Sequence, residues 1–201
     1  MGLSPWVTTD ELWDLKTRRT DQKDISNNPA VRYGIDAEPL IRDFVALDFP
    51  FLKVDYHGMD ILHHDLYPFI TATLDGELTD TRFKNRKGVL EIKSGSYRNK
   101  EDLEKWDNGN IPIYYYTQVC QQLGVTGWQF ALVAAKLTRR PYTNDEVDFD
   151  LPESVWRYVY FSANDENVKA SIQEVLRADI DFWNCVRMGI RPSTKIILKK
   201  E

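Results

Sequence analysis

Cysteine is nearly absent from this chain: Cys120 and Cys185 are the only two among 201 residues. They stand too far apart for a CxxC zinc half-site and are too few for a disulfide framework, so reduced thiols in a cytosolic protein are expected. Histidine is as scarce, with three, and the adjacent pair His63-His64 has the wrong geometry to chelate one ion and reads as a solvated turn. No apolar run approaches the roughly 18–20 residues needed to span a bilayer. No basic stretch leads into an apolar segment at the N-terminus, so no signal peptide is expected. Trp6 stands where a myristoylation signal wants Ser or Thr. A positive excess is lacking too: 26 Lys+Arg face 31 Asp+Glu, a net charge of −5. On its own that speaks against a nucleic-acid partner, because affinity for phosphates is carried by Lys and Arg. Repeats, low-complexity stretches and Gly/Ser/Pro-rich linkers are missing as well, which makes residues 1–201 one expected domain. What is present is globular composition, 42% hydrophobic with 6 Trp, 10 Tyr and 9 Phe, enough for a substantial core.

The patterns alternate between helix and strand. Thr8, Thr9 and Asp10 offer caps for a short helix over Thr9–Leu15, and Trp6 and Trp13 are expected to fasten this segment to the domain. A polar loop follows to Asn28. Pro29 to Leu47 is helical, with Val31, Ile35, Ile41 and Val45 in one stripe, and Pro39 is expected to kink or restart it. Glu38 falls inside that stripe, where a carboxylate is costly unless compensated. Residues 51–57, 69–78 and Val89–Lys93 read as strands, the last bounded by Gly88 and Gly95. Pro112 sits at the first position of a helix reaching about Leu123. Two more strands, Trp128–Leu137 and Ser154–Phe161, precede a long amphipathic helix over Asn164–Met188. The expected class is α/β, a central mixed sheet flanked by helices.

Chemistry concentrates in Asp75-x15-Glu91-x-Lys93. Alternate strand residues share a face, so Glu91 and Lys93 point one way and Ile92 the other. If the strands around Asp75 and Val89 pair as a hairpin, the two carboxylates approach one another. At about 4 Å they repel by roughly 4 kcal/mol at an effective dielectric near 20, so a cation must sit between them or one must be protonated. A hard divalent ion with oxygen ligands meets that need, and Lys93 can then orient a water or stabilise a phosphate. The bland alternative is a solvated strand face of alternating Glu and Lys. Gly76 after Asp75, Glu38 on an apolar helix face, and Tyr115-x-x-Gln118 on one helix surface weigh against it.

In register these pieces read Leu3-Ser4-Pro5-Trp6, Glu11-Leu12-Trp13, Gly34-x-x-x-Glu38-Pro39, Leu74-Asp75-Gly76, Leu90-Glu91-Ile92-Lys93, Tyr114-x-x-x-Gln118 and Val125-Thr126-Gly127. The chain resembles the YqaJ-type viral recombinase family, the lambda-exonuclease-like branch of the PD-(D/E)XK nucleases with their restriction-endonuclease-like core. The resemblance implies Mg²⁺-dependent DNA cleavage, with Mn²⁺ able to substitute, most often 5′→3′ digestion of linear duplex ends to leave 5′-phosphates. It implies Asp75, Glu91 and the Ile92 carbonyl as metal ligands, with Glu38 completing the site. Lys93 would position or activate the attacking water, Gln118 would support that water or the phosphate, and Tyr114 would help orient it. Partners implied are double-stranded DNA ends, a single-strand annealing protein and a ring-shaped homotrimer, in the cytoplasm of a bacterial or phage-infected cell. Two departures stand out. The Gly-rich, Ser-containing helix start that precedes Leu-Ser-Pro-Trp in similar chains is absent, and Cys120 stands where a second Gln is often found.

Two other readings stay open: an endonuclease of the same superfold, and a catalytically silent DNA-binding or annealing-partner scaffold. The basic tip Arg82, Lys84, Arg86 and Lys87 suits either phosphate contact or plain solubility. Arg139-Arg140 and Lys195 to Lys200 pose the same question more weakly. Tyr114 to Tyr116 suits core packing better than base stacking. With a metal site accounting for part of the acidity, the net charge ceases to exclude DNA, since only a local basic path is needed.

Overall fold

A computed structural model describes residues 2–58, 60–84, 86–140 and 151–193. Helix α1 (Thr9–Lys16) opens with a capping box in which Thr8 and Glu11 satisfy each other's backbone N–H groups. Its Trp13 is buried, 1% exposed. Trp6 departs from the fastening role expected of it: it is 67% exposed and stands edge-on to Tyr114.

Helix α2 (Pro29–Asp48) runs unbroken through Pro39, where a kink or restart was expected. The i−4 carbonyl that proline leaves without its helical donor belongs to Ile35, on the exposed side, where water can satisfy it. Ile35 therefore lies outside the buried stripe, which consists of Ala37, Ile41 and Val45.

The main sheet contains β1 (Leu52–Asp55), β4 (Gly76–Asp80), β5 (Arg86–Tyr97), β6 (Phe130–Arg139) and β7 (Ser154–Ser162), side by side in the order β1-β4-β5-β6-β7. Only β5 and β6 are parallel; β1–β4, β4–β5 and β6–β7 are antiparallel. The crossover from β5 to β6 carries the short α3 (Lys100–Glu104), which sequence reading missed, and α4 (Ile113–Thr126). Pro112 is the N-cap of α4 rather than its first helical residue. Helix α5 (Glu166–Met188) follows β7. Both α4 and α5 end on a left-handed glycine, Gly127 (φ 64°) and Gly189 (φ 69°), a conformation in which any Cβ is strained.

The strand expected over 69–78 is two. Small β2 (Leu62–His63) and β3 (Thr71–Ala72) pair with each other, and the chain leaves that ladder at Thr73 before β4 begins at Gly76. β5 is longer than expected and contains both Gly88 and Gly95 instead of ending at them. The core divides across the sheet. Leu90 and Ile92 pack with Ile41, Val45, Leu78 and Leu132 on the α2 side. Val89 packs with Val119, Leu123, Val133 and Val175 on the side of α4 and α5.

Candidate active site

The β4–β5 register places the site. Gly76 pairs with Leu90, so one step beyond the ladder Asp75 comes level with Glu91. Its Oδ2 accepts from the Ile92 N–H at 2.7 Å, replacing the ladder bond a further β4 residue would have made. Glu91, on the α4 side, is 1% exposed. Lys93 forms an ion pair with it, donates to Gln118 Oε1 at 3.0 Å and lies 4.6 Å from the Tyr115 ring centroid.

Two residues that sequence reading did not single out complete this arrangement. Arg42 donates from Nη1 to the Asp75 carbonyl at 2.9 Å, lies 3.9 Å from Glu38 Oε2 and stacks 3.8 Å over Tyr56. It thereby holds α2, and Glu38 with it, against the start of β4. Gln122, 2% exposed, donates to Glu91 Oε2 and, at 3.1 Å, to the Thr73 carbonyl. The available signals were spacings: Arg42 is i+4 from Glu38, and Gln122 is i+4 from Gln118, on one helix face. Cys120 is fully buried in the core beside Val119.

The electrostatics follow from burial and crowding. Burial, then the neighbouring Asp75 charge, pushes the Glu91 carboxyl up to about 7, against the opposing pull of Lys93. Burial raises Asp75 as well, opposed by the Ile92 N–H and by Lys93. Glu38 is raised by burial and by Asp75. Three carboxyls that resist ionisation together call for extra positive charge, and one lysine, paired with Glu91 Oε1, is all that the buried acid meets from the protein on that side. All these donors are hard oxygens, which suits Mg²⁺, an ion that takes a few carboxylates and completes its shell with water and phosphate. Among the described residues no three His, Cys, Asp or Glu side chains are already gathered into a cage for an ion. Asp75 is turned to an amide and Glu91 to Gln122 and Lys93, so the donor chemistry fits while the cage is not preformed.

Beside Gln118 lies an open groove of about 900 Å³, lined by Leu3, Ser4, Thr8, Tyr114, Gln118 and Asp179 among others. Tyr114 stands in its wall, 5.0 Å from Trp6 and 4.4 Å from Tyr115, while Tyr116 is core. The Asp179 Oδ2 is buried without a hydrogen bond, and burial pushes its carboxyl up to about 6. Since the folded value exceeds the ordinary 3.8, its favourable contribution is fully present below about pH 3.8 and is lost as pH rises through 6. Asp179→Asn is therefore expected to raise stability at pH 8 by about 1–3 kcal/mol and to change it little near pH 3.5, as denaturant melts at the two pH values will read.

The basic tip does not join the site. Arg86 opens β5, five residues before Glu91 and about 17 Å away along the strand. Arg82 forms a two-point pair with Asp80 and lies 3.6 Å over Phe51. Arg86 approaches Asp80 at 3.6 Å and Lys87 pairs with Glu77 at 2.6 Å. Lys84 is exposed. The tip thus carries its own countercharge. Arg139 donates to the Leu151 carbonyl at 2.8 Å, and Lys195 to Lys200 lie outside the described residues. His63 and His64 serve their own turn: His63 Nδ1 meets the Pro68 carbonyl at 2.7 Å, and His64 Nδ1 accepts from the Leu66 N–H at 3.1 Å.

The fold is shared with two exonucleases. An alkaline exonuclease from Laribacter hongkongensis superimposes with a TM-score of 0.52 at 18% identity, covering 90% of this chain and 82% of that one; it is also known in complex with dAMP. A phage-related exonuclease from Haemophilus somnus 129PT gives 0.55 at 13% identity, covering 90% and 81%. The chain belongs to the YqaJ-like viral recombinase domain family, which matches residues 1–129. It is 30% identical over 191 residues to the uncharacterized protein YqaJ of Bacillus subtilis (strain 168), covering 94% of this chain and 51% of that protein. The chain therefore spans about half the length of this relative. Among the described residues no helix is long and apolar enough to cross a membrane.

Proposed function

We propose that this chain is a Mg²⁺-dependent deoxyribonuclease of the phage recombination type, digesting linear double-stranded DNA 5′→3′ and leaving 5′-phosphates. The observation that carries this reading is a fully buried Glu91, paired with Lys93 and level with Asp75 at the end of the β4–β5 hairpin, with Glu38 within electrostatic reach of Asp75 and Lys93. A silent scaffold has no need to keep three mutually destabilising carboxyls together. Membership in the recombinase family and the fold shared with exonucleases support it, and the dAMP held by the Laribacter enzyme agrees with a deoxynucleotide product.

Glu38, Asp75, Glu91 and the Ile92 carbonyl would hold the ion. Mg²⁺, or Mn²⁺ in its place, polarises the phosphate as a Lewis acid and makes water a better nucleophile when bound. Lys93, steadied by Glu91, Gln118 and the Tyr115 face, positions the attacking water and stabilises charge on the phosphate. Gln118 acts through Lys93, and Tyr114 with the groove beside it offers the adjoining substrate surface. The basic tip, already paired, is left with backbone contacts remote from the cut. The same reading places the protein in the cytoplasm, as a ring-shaped homotrimer handing its single-stranded product to an annealing protein.

The test is incubation with 5′-phosphorylated linear duplex and with closed circular DNA, in Mg²⁺ or in EDTA. Loss of the linear form alone, only with Mg²⁺, is the expected result. Nicking of circles would convert the reading to an endonuclease, and no metal-dependent loss of either would sink both.

A further inference from the structure

Glutamine 122 is an amide placed where an apolar residue would cost less. It lies on α4 between the core residues Val119 and Leu123, 2% exposed, and a buried amide is tolerated only when its polar atoms are matched. Its Nε2 reaches two acceptors, the Glu91 carboxylate and the Thr73 carbonyl at 3.1 Å, while its Oε1 accepts nothing. That orientation is forced by the neighbours. Turning the amide over would set its oxygen against a carbonyl oxygen, whatever the state of Glu91. Both protons of the NH₂ group thus go to the site.

The two acceptors are informative. Thr73 lies two residues before Asp75, in the stretch where the chain has left the β2–β3 ladder and not yet entered β4. No strand pairing fixes its path there. Glu91, on the neighbouring strand, comes level with Asp75. One side chain therefore bridges the approach to the first acid and the carboxylate of the second. We propose that Gln122 is a positioning residue that sets the separation of Asp75 and Glu91 and, by taking Oε2, turns the Glu91 carboxylate so that Oε1 faces Lys93 and the reaction. The proposal rests on the nuclease reading above. Gln122 touches no reacting atom; it acts through Glu91.

A merely structural role is separable, because the preceding residue supplies the control. Gln121 donates to the Thr71 carbonyl at 2.9 Å, gripping the same chain segment from the same helix without reaching Glu91. If gripping that segment were all that mattered, Gln121→Leu and Gln122→Leu would behave alike. We expect Gln122→Leu to lower kcat on linear duplex 10–100-fold and to raise the midpoint of Mg²⁺ binding, read by calorimetric titration of the DNA-free protein, by a similar factor, the usual effect of removing a partner of a metal-binding carboxylate. KM for DNA should stay within about twofold in Gln122→Leu; Gln121 lines the groove beside Gln118, so Gln121→Leu is read on kcat and the Mg²⁺ midpoint, both of which it should keep, and not on KM. Should Gln122→Leu not fold by circular dichroism, Gln122→Met keeps the unbranched shape and is read the same way. Equal kcat and equal Mg²⁺ midpoint in the Gln122 variant and the wild type would overturn the positioning role while leaving the nuclease reading intact. A similar loss in both variants would also overturn it. A wild type without metal-dependent cleavage removes both together.

Discussion

Glu91→Gln is expected to abolish cleavage while making the metal-free protein less sensitive to alkaline pH. Glutamine keeps the size of the buried side chain but offers a weak neutral donor where the site needs a charged one. Losing transition-state charge stabilisation of several kcal/mol corresponds to a fall in kcat on the order of 10³-fold. The stability effect has the opposite origin. Burial and Asp75 hold the folded-state value near 7 against an ordinary 4.5, so the folded chain binds the proton more tightly than the unfolded one. That contribution is fully present below about pH 4.5 and disappears as pH rises to and through 7. It amounts to at most about 3 kcal/mol, and the variant, having nothing to titrate at 91, lacks it. Part of the gain is offset because Lys93 loses its partner. The decisive measurement is a pair of denaturant melts in EDTA at pH 5 and pH 8. The wild type should lose stability between them, and Glu91→Gln should lose distinctly less. Parallel curves would show that Glu91 is ionised at no cost, and full activity in the variant would remove Glu91 from the chemistry.

Gly88→Ala should be the most destabilising single methyl in the sheet. A Cβ at residue 88 would meet the Phe130 ring at 2.4 Å, in the parallel pair at the start of β6. The ring has little room to retreat, since Tyr160 stacks on it at 5.7 Å and the Arg86 guanidinium lies 5.1 Å from its centroid. Overpacking of this kind costs about 3 kcal/mol, which for a chain of this length lowers Tm by roughly 6–12 °C. Phe130→Leu in the same chain should recover much of the loss, because it removes the ring that the methyl strikes. A Gly88→Ala melt within 2 °C or so of the wild type would mean that β6 shifts freely, contrary to its place in the sheet interior.

Much of the site was legible in the sequence because it depends on short-range geometry. The alternation along Leu90-Glu91-Ile92-Lys93 assigns faces by period two, and the two core clusters divide along that alternation. The hairpin between Asp75 and Glu91 needs only antiparallel neighbours and a turn, and Glu38 betrayed itself as a carboxylate among apolar helix positions. The rest depends on which long-range elements meet. Beyond its i+4 spacing from Glu38, nothing in the sequence sets Arg42 apart from a surface arginine, because its partner at the start of β4 is 33 residues away along the chain. Its spacing from Gln118 aside, Gln122 is likewise indistinguishable in the sequence from Gln121 beside it, since its acceptors lie 49 and 31 residues away. Ile35 was assigned inward because the periodicity tolerates a wide stripe, whereas the sheet covers only the Ala37-Ile41-Val45 side. The strand expected over 69–78 breaks at Thr73 because the apolar pattern is blind to a change of ladder. The basic tip read as available charge because the sequence does not show that Asp80 and Glu77 lie against it.

The two grips on the acids differ in kind. Arg42 holds residue 75 by its main-chain carbonyl, whereas Gln122 holds residue 91 by its carboxylate. A backbone carbonyl is present whatever amino acid stands at 75, so the docking of α2 is indifferent to substitutions there. The docking of α2 is thus separate from the Asp75 carboxylate, whose structural duty is confined to the Ile92 N–H, whereas the Gln122 grip needs the Glu91 carboxylate itself. Of the two acids, Asp75 is the one whose charge can be removed with the local hydrogen bonds kept, because Asp75→Asn retains both the main-chain carbonyl for Arg42 and a side-chain acceptor for the Ile92 N–H.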